Sequence, residues 1–353
     1  MKTSLNFTNV CLQKIVCSMP ISLLLMCVRR LPTVFFCHLV TDDPLPHVCH
    51  LYATKTPREF EADLDYLLRE FRPITLEQLK SIILNGDTPP KRSFYLTVDD
   101  GLRQAAEIMA PMFQRKGIPA AFFISPAFLD NVDMSYRFKI SLLIGIMHER
   151  KIPRSAERAV EDVLKRVHSH SSDGMISTLL QVSFKKRHLL DEIANILEYN
   201  FEDYLRRERP YMSTEQVCAL ARDGFDIGSH SVLHPSYAEL NLEEQLGQTR
   251  DGARMVRERF GVDRGIFAFP FSERGVGDDF FHRIIREETI DLLFGTSGWE
   301  HESDKRLVQR VQIDLAEPPL PVFLRASLLC FLINRLKNYS GFRSGSPVFK
   351  DNL

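Results

Sequence analysis

Two short runs carry side chains that can do chemistry together. Asp99 and Asp100, followed by Gly101, stand where the apolar run 93–98 ends. Adjacent carboxylates leaving a strand point to opposite sides of the chain, so one can bind a cation while the other takes a proton from water. The run Gly228-Ser229-His230-Ser231-Val232-Leu233-His234-Pro235 likewise follows a strand-like segment. Histidines four apart can reach one metal, and Pro235 biases His234 away from helix, which favours a strand-end turn. Asp100, His230 and His234 together offer three oxygen or nitrogen ligands and leave positions for water and substrate, the make-up of a catalytic rather than a structural zinc site. Read singly, Asp-Asp-Gly is an ordinary turn and each histidine an ordinary polar residue. Their joint placement at strand C-termini, where parallel α/β folds keep their active sites, gives them weight.

The elements that must position these residues alternate. Residues 33–40 (TVFFCHLV) form a short β-branched and aromatic strand bounded by Pro32 and Asp42-Asp43-Pro44. Thr56 caps a helix with Pro57 at its first position and Glu59 closing a capping box; Phe60, Leu64, Leu67, Leu68 and Phe71 make its buried face. A second helix over 76–84 ends at Asn85-Gly86. Strands follow at 93–98 and 120–125, with a helix between them that Pro111 interrupts. From about 134 to 210 the composition is continuously helical, which predicts an insertion on the scaffold rather than an independent domain. Alternation then resumes. Ser213 with Gln216 and Asn241 with Glu244 cap two helices, and strand-like runs fall at 225–229, 265–269, 292–296 and 307–313. About seven strands separated by helices predict parallel pairing with helical crossovers.

The 353 residues allow one large α/β domain or two average ones. With 45 basic and 46 acidic residues the net charge is −1, which disfavours nucleic-acid binding in bulk. A hydrophobic fraction of 44% excludes a largely disordered or multi-span membrane chain. Seven cysteines, five of them in the first 49 residues and none in a C-x-x-C pair, indicate neither a disulfide framework nor a zinc knuckle. The apolar run 19–28 resembles a weak signal h-region, but no small-residue cleavage site follows and it is too short to span a bilayer. Residues 1–31 are therefore read as a leader outside the fold, and a cytoplasmic location is favoured over export. The run 322–336, apolar with Arg325 and Arg335, reads as a last helix packed on the domain and as a possible peripheral membrane contact, with a tail after it to residue 353.

Thr97-Val98-Asp99-Asp100-Gly101 resembles the T-F-D-D-G motif of the polysaccharide deacetylases of the NodB-homology type, and His230 to Pro235 resembles their H-[ST]-x-x-H-P motif. Residues 267–272 (FAFPFS) occupy the place of the third motif and 291–299 (DLLFGTSGW) that of the fourth, so the resemblance covers about residues 33–315. It is nearest to bacterial members with a helical insertion after a segment like Phe128-Leu129-Asp130-Asn131. The resemblance implies a distorted (β/α)7-type barrel over residues 32–318 and a divalent metal held by Asp100, His230 and His234. Zinc is foremost, with cobalt, nickel or manganese as alternatives. It further implies Asp99 as general base, a metal-bound water as nucleophile, and removal of N-acetyl groups from acetamido sugars of a cell-surface polysaccharide or its precursor. Phe271 and Trp299 would then wall the pocket for the acetyl methyl or a sugar face.

The chain departs from the family pattern twice. Many members carry an Arg two residues before the third-motif proline; here Ala268 stands there, and Arg310 on the last strand is the candidate replacement for orienting Asp99. The fifth motif usually ends in a histidine that acts as general acid, yet residues 309–314 (QRVQID) contain none. His38 at the end of the first strand is the leading substitute, ahead of His47 and His50 in the next loop and of His301; Asp314 reads as a locally paired residue. These gaps leave two other readings beside deacetylation: a carbohydrate-binding protein that has lost turnover, and a hydrolase of a small non-glycan amide.

Overall fold

The computed structural model describes residues 19–28, 31–167, 174–262, 265–287, 290–300 and 306–339. After a short helix α1 (Ile21–Leu25), strand β1 (Thr33–Cys37) enters the core with all but its first residue buried. Helix α2 (Pro57–Glu70) begins at Thr56 with the expected capping box, Thr56 Oγ1 accepting from the Glu59 amide. A two-residue strand β2 (Arg72–Pro73) and helix α3 (Leu76–Lys80) lead to β3 (Ser93–Val98), which is buried at all six positions. A parallel strand covered on both faces reads as such a continuous apolar run.

Helix α4 (Ala110–Lys116) continues a π-turn over Ala105–Met109, and Pro111, which has no amide hydrogen to donate, stands just after that wider turn. Strand β4 (Ala120–Ile124) is fully buried. Five helices then fill the insertion: α5 (Tyr136–Glu149), α6 (Arg154–Leu164), α7 (Met175–Leu180), α8 (His188–Ile196) and α9 (Phe201–Glu208). The alternation closes with α10 (Thr214–Arg222), β5 (Asp226–Ser229), α11 (Leu242–Phe260), β6 (Gly265–Ala268), α12 (Asp278–Arg286), β7 (Ile290–Phe294), β8 (Leu307–Val308), β9 (Arg310–Gln312) and α13 (Leu320–Tyr339).

All the strand pairings are parallel, in the order β8-β7-β6-β5-β4-β3-β1-β9, with β2 beside β3. The chain is thus a nearly closed parallel barrel wrapped in helices, as the sequence predicts in class. The segment read as one last strand is two. Leu307–Val308 pairs with β7 and Arg310–Gln312 with β1, so the two free ends of the sheet are joined by the bend at Gln309. Strands of two and three residues are too short for periodicity to separate, which is why the count of about seven becomes nine.

The insertion is a second apolar core laid over the rim of the barrel. Leu39, Val48, Leu102 and Tyr211 belong to the same buried cluster as the inward faces of α5, α6, α8 and α9. Its two ends are clamped together: the Ser135 amide donates to Tyr211 Oη at 3.0 Å, and Asn131 Oδ1 and Nδ2 pair with the Tyr211 backbone at 2.8 and 3.1 Å. The Met212 amide donates to the Gly101 carbonyl at 2.9 Å. The insertion therefore braces the Asp100-Gly101 turn.

The start of the chain differs from expectation. Within the segment read as a leader, Ile21 and Leu24 are buried in the main core, and Arg325 of α13 donates from Nε to the Met19 carbonyl at 2.9 Å. An apolar helix too short to span a bilayer finds its partner in the last helix. Cys11, Cys17, His301 and the tail from residue 340 lie outside the described residues. The five described cysteines are free, and no helix among the described residues is long and apolar enough to cross a membrane.

Candidate active site

Because the strands run in parallel, their C-terminal ends share one rim, and the predicted residues leave the barrel there side by side. Cys37 pairs with Val98 and Ile124 with Ser229, which sets His38 beside Asp99 and Ser125 beside His230. Nine described non-glycine residues have positive φ; Asp100 (73°), Ser231 (64°), His234 (52°) and Phe271 (58°) are four of them. Left-handed backbone at such residues costs about 1–3 kcal/mol each and persists where surrounding structure enforces it. Here it swings Asp100 away from Asp99 and toward the histidine turn. Gly101, at φ 65°, completes that reversal, and a Cβ on it would lie 3.0 Å from Ile124 Cγ2.

Asp100, His230 and His234 place one ligand atom each within 4.8 Å of one another. Asp100 Oδ1 is 3.1 Å from His234 Nε2 and 3.4 Å from His230 Nε2, yet it is buried without a hydrogen bond: the three atoms converge on a common point rather than bonding to each other. His230 Nδ1 lies 2.8 Å from the Ala268 carbonyl, which assigns the ring proton to Nδ1 and turns the Nε2 lone pair into the site. The Ser231 and Gln248 side chains accept from the His234 and Leu233 amides at 3.0 Å each and hold the turn. Helix α11 approaches it so closely at Gly252 that a Cβ there would sit 2.6 Å from Ser229 Oγ.

Burial opposes charge on Asp100, but the facing His234 and His230 rings outweigh it and hold the carboxyl well below the usual carboxylate range. Burial pulls the His234 ring below its ordinary value even beside Asp100. An anionic carboxylate and a neutral imidazole are the states in which these groups ligate a cation. The donor set fits a divalent metal. His234→Ala is expected to weaken zinc binding roughly 100-fold or more, since even outer-shell changes cost 10–100-fold. Calorimetric titration of the metal-free protein checks this, and undiminished one-to-one binding would exclude His234 as a ligand.

Asp99 turns the other way, into the barrel. Arg310 Nη1 and Nη2 donate to its Oδ1 and Oδ2 at 2.7 and 2.8 Å, a bidentate pair. Arg310 is fully buried; it also donates to Thr97 Oγ1 at 2.9 Å and to the Gly295 carbonyl at 3.0 Å. Its guanidinium lies 4.5 Å from the Phe36 ring centroid. Each carboxylate oxygen has about two acceptor sites, so the pair leaves one free on each for a proton. The cation absent at Ala268 is supplied from β9, one strand beyond β1.

His38 and Asp314 meet where β1 and β9 end. Asp314 Oδ2 accepts from the His38 amide at 2.7 Å and lies 2.9 Å from His38 Nδ1, while Gln312 Nε2 donates to Oδ1 at 3.0 Å. Asp314 thus has a partner 276 residues away as well as the local one that its spacing suggests. Burial disfavours a charged His38, but the Asp314 carboxylate outweighs it and lifts the ring to about 9. With Nδ1 bound to Asp314, Nε2 is the nitrogen free to carry a transferable proton.

The other predicted residues divide. The Phe271 ring stands edge-on to His234 with centroids 4.8 Å apart, beside the ligand set. Trp299 instead packs on the main core and donates from Nε1 to Ser327 Oγ of α13 at 3.0 Å, so its contacts serve the last helix. His47 is buried, with Nδ1 2.7 Å from Tyr204 Oη, and burial pushes it down to about 3; His50 stacks edge-on against His148. Both dock their loop onto the insertion rather than into the site. Glu273, which the sequence does not single out, is buried and accepts from the Thr296 amide at 2.8 Å and from Gln309 Nε2 at 3.0 Å. It fixes the loops beside Gly295 and the bend between β8 and β9.

A parallel α/β barrel carrying an Asp-His-His cluster that could hold a metal ion, with an arginine-held aspartate beside it at the C-terminal rim, has the make-up of a hydrolase site. The family model for polysaccharide deacetylases matches residues 86–281, more than half of the chain. The chain belongs to the polysaccharide deacetylase family, hydrolases that act on carbon–nitrogen bonds other than peptide bonds. The fold is similar to that of IcaB from Ammonifex degensii, with a TM-score of 0.53 at 17% identity over 85% of this chain and 98% of that one. It is also similar to the deacetylase PplD from Streptococcus pyogenes, solved with acetate, with a TM-score of 0.51 at 12% identity over 83% of this chain and 96% of that one. No curated protein matches in sequence.

Proposed function

We propose that this protein removes N-acetyl groups from acetamido sugars of a polysaccharide or its precursor, with Asp99 as general base, His38 as general acid, and a divalent metal, zinc foremost, held by Asp100, His230 and His234. The observation that carries this reading is the convergence of three devices on one rim: the ligand cluster, the Arg310-held Asp99 and the His38–Asp314 pair. A bound divalent ion would supply Lewis acidity toward the amide carbonyl and lower the pKa of water. Asp99 takes a proton from the attacking water as its oxygen bonds to the acetyl carbon. The C–N bond then breaks as His38 Nε2 gives its proton to the departing nitrogen, yielding acetate and a free amine. Phe271 offers an apolar surface to the acetyl methyl. The reading without turnover drew on two missing side chains; the Arg310–Asp99 and His38–Asp314 pairs support the reading with turnover.

The test is acetate release from N-acetylglucosamine oligomers by the protein loaded with Zn²⁺ or Co²⁺. Tight oligomer binding with no acetate across acetylated glycans would instead favour the binding protein. The acid role also has a pH signature. His38 keeps its proton up to about 9, so kcat/KM should fall as pH rises through that value. In Asp314→Asn the largest charge favouring protonated His38 is gone, so the basic limb should move to lower pH, as pH–rate profiles would show. An unmoved limb would remove His38 from the mechanism.

A further inference from the structure

Tyr52 stands in the loop between β1 and α2, with its ring centroid 5.9 Å from that of His38. The residue as a whole is partly exposed while its Oη is buried, so the hydroxyl is the end that points inward. That hydroxyl has no hydrogen-bond partner among the described residues, and Asp100 Oδ1 of the ligand cluster is in the same condition. Buried polar groups are normally paired, and one left without a partner calls for a reason. For Asp100 the reason is the donor set it completes. Tyr52 differs in having a hydrogen to give, and the protein offers it no acceptor.

Burial, with the Asp100 and Asp314 carboxylates adding to it, pushes the Tyr52 phenol well above its ordinary range, so at neutral pH it is a donor. The same two charges locate the hydroxyl: it is near enough to the ligand cluster and to the His38–Asp314 pair to be biased by each. Its loop is fixed on the insertion. His47 Nδ1 lies 2.7 Å from Tyr204 Oη of α9, and Ser141 Oγ of α5 donates to the Pro46 carbonyl at 2.7 Å. The Tyr52 amide donates to the Val48 carbonyl at 3.3 Å, and the Thr41 amide to the Lys55 carbonyl at 3.0 Å, which closes the loop at its base. The insertion thereby holds the hydroxyl in place before a substrate arrives, and donors fixed in advance are the ones that stabilise charge as it develops.

An acetamide has one strong acceptor, its carbonyl oxygen, because the nitrogen lone pair is delocalised into the carbonyl. With its nitrogen toward His38 and its carbonyl toward the ligand cluster, the group lies across the stretch of rim that Tyr52 faces. We infer that Tyr52 Oη donates a hydrogen bond to the carbonyl oxygen of the acetamide, most strongly once water has added to the carbon and that oxygen carries the negative charge. The inference rests on the deacetylation proposed above and adds a catalytic residue to it. Tyr52 keeps its proton throughout: the charge returns to re-form the carbonyl as the C–N bond breaks, and the nitrogen takes its proton from His38.

In the zinc-loaded protein, Tyr52→Phe is expected to lower kcat for acetate release from N-acetylglucosamine oligomers about 10²–10³-fold, the effect of losing one oxyanion donor, with KM nearly unchanged. Zinc affinity, the basic limb of the pH–rate profile and the urea midpoint should stay native, because the hydroxyl bonds to no other residue of the free protein. Native kcat in the variant would overturn the inference and leave the deacetylase reading standing. Weakened zinc binding would overturn it by showing that the hydroxyl serves Asp100, and a displaced basic limb by showing that it serves His38 and Asp314. If the native protein releases no acetate, the deacetylase reading fails, and acetate itself then decides whether Tyr52 donates to an acetyl oxygen, since its carboxylate carries the charge of the oxyanion. In NMR titrations the zinc-loaded native protein should bind acetate about tenfold more tightly than Tyr52→Phe, the effect of one hydrogen bond to a charged group. Equal affinity, or no binding by either protein, would overturn the inference.

Discussion

Asp99→Asn is expected to lower kcat for acetate release by roughly 10²–10⁴-fold, the contribution of a positioned general base. The amide keeps the shape of the carboxylate and can still accept from one Arg310 nitrogen, but it cannot take a proton from water. Because Asp99 faces Arg310 and not the ligand cluster, zinc binding should survive. The two readouts separate the base from the metal: a fall in kcat with intact calorimetric zinc binding supports the assignment, while native turnover in Asp99→Asn would rule Asp99 out as the base. KM should change little, since the lost interaction belongs to the transition state.

The second large effect is on stability. Arg310→Met leaves the Asp99 carboxylate, 2% exposed, without its bidentate partner, and removes the guanidinium donor to the Gly295 carbonyl, while the Thr97 hydroxyl keeps its bond to the Phe35 carbonyl. Breaking a buried ion pair by removing one member costs about 3–5 kcal/mol, mostly the desolvation of the charge left behind. Urea denaturation of the metal-free protein should show a loss of that size, and activity should fall with it. Arg310→Lys should rescue little of the geometry, because an ammonium cannot make two parallel bonds to one carboxylate while reaching Gly295. Combining Arg310→Met with Asp99→Asn should cost less than the sum of the two, since the stranded charge is then absent. Additive losses would show that the pair is not energetically coupled.

Asp99 and the Asp100-His230-His234 cluster were legible because each lies in a contiguous motif at a strand end: Asp99-Asp100-Gly101 and His230 to His234 need only two strands to be neighbours in one sheet. The capping boxes at Thr56, Ser213 and Asn241 were legible for the same reason, being contacts over three residues. The role of Arg310 was open in the sequence because nothing local links it to Asp99, 211 residues earlier. In the sequence Asp314 reads as locally paired, because its partner His38 becomes a neighbour only when β9 returns to pair with β1. Trp299 was drawn toward the site by its place in a motif-like run, yet the course of α13 turns its indole nitrogen to Ser327.

By itself, the sequence determined the class of fold, the family resemblance and the four residues Asp99, Asp100, His230 and His234, since alternating periodicity and short motifs are properties of neighbouring residues. Only the tertiary structure decided how the barrel closes, that Arg310 pairs with Asp99 and His38 with Asp314, and that residues 21–25 form a helix packed on the core. Each of these depends on bringing the last strand and last helix back to the first, a contact between the two ends of the chain that no local pattern encodes.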